Sequence, residues 1–117
     1  MEFTVEFYES ASGRAPVREF LDELKQSDPG DHAAVLRGLA KLRDRQNHRE
    51  PLTKALSNGL IELRHVGKLN TRVLWFFVKG RRIIAVHGVR NKGTAIPARD
   101  LDTARDRMRD WHERFET

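Results

Sequence analysis

In this 117-residue chain, the side chains best suited to chemistry gather between positions 61 and 97. Eight lysines and arginines there face a single acid, Glu62. Arg72 alternates with Leu74, Phe76 and Val78 on one face of a strand pattern, so its base lies in apolar surroundings. A guanidinium in such a place costs free energy unless an anion meets it. Arg64 on the preceding strand and Arg90 at the end of the next are expected to approach the same region. The anion is either a carboxylate of the chain, Glu62 or one on a helix, or the phosphate of a ligand. Several cations converging beside one acid point toward phosphate. His87 lies in the last of these strands, and histidine has an unperturbed pKa near neutrality. It is either a general acid or base, or a neutral strand residue bonded within the sheet. Ile83 and Ala85, expected on its face, favour the second reading.

Other chemistries find less support. With no cysteine, disulfides, thiol nucleophiles and thiolate metal sites are excluded. The five histidines never recur at i, i+4, and no carboxylate joins them at metal-ligand spacing. The Gly88–Gly93 stretch lacks the pattern of a phosphate-cradling loop, and no Gly-x-Ser-x-Gly turn occurs. The net charge of +5 conceals an asymmetry: residues 1–30 carry −4, residues 31–60 +3, residues 61–97 +7 and residues 98–117 −1. A positive field confined to one stretch suits a polyanion-binding surface, although a solvated basic face is the plainer alternative.

The elements that must position these residues follow from periodicity. Residues 3–8 alternate as a strand. Pro16 opens a helix with Val17, Phe20, Leu21 and Leu24 on one stripe. Asp28 and Pro29 start a second helix, with Val35, Leu36, Leu39, Ala40 and Leu42 expected inward. From residue 60 the period becomes 2. Strands over 60–66, 71–78 and 82–89 are separated by short spacers that permit only hairpins, hence an antiparallel meander. The middle strand is apolar on both faces and must be central. From Pro97, Leu101, Ala104, Met108, Trp111 and Phe115 mark a last amphipathic helix. The order βααβββα is an α+β arrangement: a meander plus the N-terminal strand in one sheet, an α-hairpin on one face, and a C-terminal helix. We expect one domain over residues 1–117. With 38% hydrophobic residues, no apolar run of bilayer length and no basic-then-apolar start, that domain should be soluble and cytoplasmic.

Taken together, Val5-Glu6-Phe7-Tyr8, Pro16-Val17-Arg18-Glu19-Phe20-Leu21, Gly59-Leu60-Ile61-Glu62-Leu63-Arg64, Thr71-Arg72-Val73-Leu74-Trp75-Phe76-Phe77 and Ile84-Ala85-Val86-His87-Gly88-Val89-Arg90-Asn91-Lys92 resemble the RelE/ParE toxin superfamily. The resemblance is to its phage-derived, HigB-like branch, and the ordered set is more specific than any one motif. It implies a type II toxin–antitoxin toxin: a ribosome-dependent mRNA endonuclease that needs no metal or other cofactor. The 2′-hydroxyl would attack the adjacent phosphate. Implied partners are a helix-turn-helix antitoxin, the ribosome and mRNA, with no membrane role. The reaction needs a proton acceptor, cations for the phosphorane and a donor to the 5′-oxygen. On this resemblance Arg72 stabilises the transition state, and Lys92 or Arg90 holds the phosphate or protonates the leaving group. Lys54 contacts phosphate or accepts a proton, while Arg64 and Lys68 bind RNA.

The branch usually carries a Lys-Lys-Thr-x-Lys-Thr-Pro run where this chain has Asn91-Lys92-Gly93-Thr94-Ala95-Ile96-Pro97, and no tyrosine stands near the last strand in sequence. Two alternatives are a same-fold toxin that blocks a protein such as DNA gyrase, as in the ParE branch, and a non-toxic nucleic-acid or antitoxin binding module. An apolar, exposed terminal helix would favour the gyrase reading. If residues 61–97 form the RNA surface, Arg64→Gln or Lys68→Gln lowers the log–log salt slope of RNA binding by roughly 0.7–0.9 per lost phosphate contact. An unchanged slope in a filter-binding titration places the surface elsewhere.

Overall fold

A strand with large apolar side chains on both faces needs cover on both, and the computed structural model supplies it. It describes residues 2–64, 70–91 and 93–116. The elements are β1 (Thr4–Phe7), α1 (Pro16–Ser27), α2 (Pro29–Lys41), a short 3₁₀ turn (Arg45–Asn47), β2 (Thr53–Ala55), β3 (Ile61–Leu63), β4 (Arg72–Val78), β5 (Arg82–Val89) and α3 (Ala98–Phe115). The sheet order is β1-β5-β4-β3-β2, which puts β4 in the middle. Trp75, Val73, Ile83 and Ala85 pack with Val17, Leu21, Val35 and Leu39 of α1 and α2. Leu74, Phe76, Ile84 and Val86 pack with Ala104 and Trp111 of α3 on the other side. The α+β class and the α-hairpin on one face are as expected.

Local chemistry explains the helix starts. Pro16 and Pro29 occupy first-turn positions, where their missing N–H costs nothing. The Asp28 carboxylate caps α2 by accepting from the Asp31 N–H at 3.1 Å. Between β4 and β5, Gly80 and Arg81 both have positive φ, and Gly supplies that conformation without steric cost.

Several expectations are corrected. The sheet has five strands, because residues 53–55 add an edge strand antiparallel to β3. Three residues at an edge are too few to show a period. The strand expected over 60–66 is regular only from Ile61 to Leu63, and its 65–66 end lies outside the described residues. β1 lies parallel to β5, a pairing between distant segments that hairpin rules do not reach. Leu36, expected inward, is 44% exposed, and Phe77 and Phe115 are also exposed. Helix α3 otherwise buries its stripe on the sheet, so the exposed apolar terminal helix of the gyrase reading is absent.

The pairing of β4 with β5 is irregular at one point. Leu74 pairs with His87 but Trp75 pairs with Ala85, so Val86 is an extra residue in β5. This bulge breaks the alternation: Val86 and His87 both turn toward α3, and Gly88 turns toward α1. A Cβ on Gly88 would stand 2.4 Å from the Phe20 ring. Gly88→Ala should therefore destabilise the fold by about 1–3 kcal/mol, read as a lower urea midpoint at constant slope. Phe20→Ala in the Gly88→Ala background should cost less than the two single losses added, because it removes the clash.

Candidate functional site

On the α3 side of the sheet, residues of four strands form a transverse row. Lys54 pairs with Glu62, Glu62 with Leu74, and Leu74 with His87. Arg72, opposite Val89, is the diagonal neighbour of His87, a relation that places Cα atoms about 7–8 Å apart. Arg72 is 2% exposed. Its Nε lies 3.4 Å from Glu62 Oε1, and its Nη2 donates to the Gly93 carbonyl at 2.7 Å. Asn70 donates to the same carbonyl at 3.0 Å. The third nitrogen, Nη1, is buried with no partner among the described residues. The Gly93 carbonyl thus covers a guanidinium that is not fully satisfied.

His87 is held at both ring nitrogens, by Asp100 Oδ1 at 2.7 Å from Nε2 and by Arg107 Nη1 at 2.8 Å from Nδ1. A guanidinium only donates, so Nδ1 accepts and Nε2 carries the proton shared with Asp100. The expectation that His87 shares the face of Ile83 and Ala85 and bonds within the sheet is corrected. The bulge turns it toward α3, whose side chains hold it.

The remaining predicted cations separate. Arg90 lies on the α2 side, with Nη2 2.6 Å from Asp28 Oδ2 and 3.1 Å from Asp31 Oδ2; Asp31 also accepts from the Thr71 hydroxyl. The structure does not bring Arg90 to Arg72. Arg64 sits 3.5 Å from Glu50, and Lys54 is exposed on the sheet edge. Lys68 and Lys92 lie outside the described residues. The excess of cations between 61 and 97 therefore draws its acids from elsewhere in the chain: Asp28, Asp31, Glu50, and Glu6 bonded to Arg82.

A family model described as "Phage derived protein Gp49-like (DUF891)" matches residues 22–109. The chain belongs to this family. Gp49-like proteins are a RelE-like, toxin-like family of toxin–antitoxin systems. No curated protein matches the chain. The Gp49-like span includes Glu62, Arg72, His87, Arg90, Asp100 and Arg107.

Several residues at the site escaped the sequence reading. Because β1 is parallel to β5, the Tyr8 N–H donates to the Ala85 carbonyl, so the single tyrosine does stand beside the last strand. β1 covers β5 only as far as Ala85, and a cleft of about 370 Å³ opens where its edge is bare. Tyr8, Arg14, Glu19, Phe20, His87 and Arg107 line it. Burial holds the Arg107 guanidinium below its usual pKa, and the Arg14 hydrogen bond lowers that of Glu19. Among the described residues no group of three His, Asp or Glu side chains is placed to hold a metal ion, and no helix is long and apolar enough to cross a membrane.

These pairings set the effect of two substitutions. Arg90→Met removes the guanidinium that Asp28 and Asp31 share and should cost about 3 kcal/mol, read by urea denaturation. Burial, then the donation to Asp110, raises the Tyr8 pKa above the ordinary phenol value of 10.0. Its contribution is present below that pH, where folded and unfolded phenols are both protonated, and is lost as pH rises through the folded value. Tyr8→Phe should flatten the fall in stability above about pH 10; an unchanged alkaline limb contradicts the assignment.

Proposed function

We propose that this Gp49-like protein is a toxin of the HigB-like branch that cuts mRNA on the ribosome, in the cytoplasm, and is silenced by a helix-turn-helix antitoxin. The observation that carries the reading is the Arg72–His87 pair on one sheet face, one a buried cation with a nitrogen unpartnered among the described residues, the other an imidazole whose tautomer is held. In the family's metal-free reaction the 2′-oxygen bonds to phosphorus, the bond to the 5′-oxygen breaks, and a 2′,3′-cyclic phosphate and a 5′-hydroxyl result. Arg72 exchanges the Gly93 carbonyl for a phosphate oxygen as the loop lifts, and stabilises the charge of the phosphorane.

His87 takes the 2′ proton at Nδ1 once Arg107 moves off it, with the Asp100 carboxylate stabilising the resulting imidazolium. Lys92 is assigned to the 5′-oxygen, and Lys54, Arg64 and Lys68 to RNA backbone. Arg90, committed to Asp28 and Asp31, holds the strand end beneath the site.

Induced expression in a bacterial host followed by mapping of mRNA 5′ ends tests the activity, and new ends within translated codons are expected. Because Arg72 is paired with Glu62, Arg72→Ala alone strands a buried carboxylate. The double variant Arg72→Gln, Glu62→Gln removes both charges and should stay folded while losing roughly 100–1000-fold in cleavage rate. Full toxicity in that folded variant overturns the role of Arg72. DNA damage without new RNA ends points to a gyrase-type target instead.

A further inference from the structure

The cleft beside the bare edge of β5 has contents that the cleavage chemistry does not use. Arg107 enters it from α3 and, among the described residues, uses only Nη1, donating to the Val86 carbonyl at 2.9 Å and to His87 Nδ1. Its Nε and Nη2 have no hydrogen-bond partner among the described residues, and no carboxylate there lies within salt-bridge distance of it. It differs in this from Arg64, Arg72 and Arg90, each of which has an acid. The opposite wall is α1, where Glu19 and Glu23, one turn apart, face the same cleft. Glu19 is taken by Arg14, whereas Glu23 is exposed and has no ion-pair partner among the described residues. Between these walls lies the Phe20 ring, set against Gly88 of the floor.

An open guanidinium fork, an open carboxylate and an aromatic surface in one cleft of about 370 Å³ define a ligand narrowly. With Glu19 paired to Arg14, the open Glu23 carboxylate is what disfavours a bare phosphate beside Arg107. A planar group is required that offers two acceptors to the fork and two donors to the carboxylate. Among the four RNA bases only guanine has both: N7 and O6 on one edge, N1–H and the N2 amine on the other. Adenine sets an amine beside N7 and would oppose two donors. Cytosine and uracil each offer the carboxylate a single donor group.

We propose that this cleft is a guanine-recognition pocket, in which Arg107 reads O6 and N7, Glu23 reads N1–H and the N2 amine, and Phe20 stacks on the base. The inference rests on the reading that the protein acts on RNA only for the origin of the guanine, which a free nucleotide also carries. It also deepens that reading, since a base that draws Arg107 toward itself frees Nδ1 of His87 to accept a proton.

The test is binding, read without cleavage. The purified chain is titrated with GMP, AMP, CMP and UMP, followed by calorimetry and by the amide shifts of Phe20 and Gly88. GMP should bind about 10-fold or more tightly than the other three, the scale of one bidentate base contact. Glu23→Gln, at an exposed position, should abolish most of that preference while leaving weak nucleotide binding. Arg107→Lys keeps the charge but loses the fork and should do the same.

Equal binding of the four nucleotides, or a guanine preference unchanged in Glu23→Gln, overturns the proposal. A trinucleotide UGU that binds more tightly than GMP identifies RNA as the source, and equal affinity identifies a free nucleotide; both support a guanine site. New mRNA ends in cells without guanine selectivity in the titration remove this pocket and leave the nuclease standing. Guanine selectivity in a protein that produces no ends does the reverse.

Discussion

The fold depends on β4 being apolar on both faces. Trp75 and Val73 on one side and Leu74 and Phe76 on the other are all within 2% of complete burial. Such a strand is stable only between two layers. α1 and α2 form one layer and α3 the other, and the sheet edges lie at β1 and β2. A charged side chain that enters this sandwich must find a counter-charge or acceptor inside it. That requirement sorts the arginines. Arg72, the one cation on the most buried strand, takes Glu62 and the Gly93 carbonyl, and Arg90 at the end of β5 takes two aspartates at the start of α2. Asp28 has two roles at once, capping α2 with one oxygen and holding Arg90 with the other.

The bulge at Val86 is the second organising feature. Without the extra residue His87 would fall on the helix-hairpin face with Ile83 and Ala85. With it, His87 reaches Asp100 and Arg107, and Gly88 comes under Phe20. Bulges re-aim side chains at the cost of a little ladder regularity, and are common beside functional sites. Here one inserted residue links the row of polar groups under α3 to the cleft beside β1. The Glu6–Arg82 pair across β1 and β5, with Arg82 over the Trp111 ring at 5.5 Å, fastens the same corner from the other end.

Burial also governs access to the site. In the proposed reaction, an arginine that is 2% exposed would reach RNA only when its cover moves. The cover is a backbone carbonyl of an exposed loop residue, held by Arg72 and Asn70. A phosphate oxygen is a stronger acceptor than that carbonyl, because both partners of the hydrogen bond then carry charge. Under the proposed function, a phosphate oxygen would take the place that the Gly93 carbonyl holds on Arg72.

The sequence by itself determined the order of elements apart from the three-residue β2, the centrality of β4, the proline-started helices and the amphipathic α3. Each of these follows from a local period or a local start signal. The basic segment was also legible, as was Glu62 as one candidate partner of Arg72. What only the tertiary structure decided is where distant segments meet. Tyr8 and Ala85 are neighbours because β1 and β5 pair in parallel, and Arg90 meets Asp28 because the end of β5 lies over the start of α2. The bulge leaves no mark in the alternation of Ile84, Ala85, Val86 and His87. The physical reason is one of range: hydrophobic period and capping act over a few residues, whereas the neutralisation of a buried charge is settled by whichever acid the folded chain brings near.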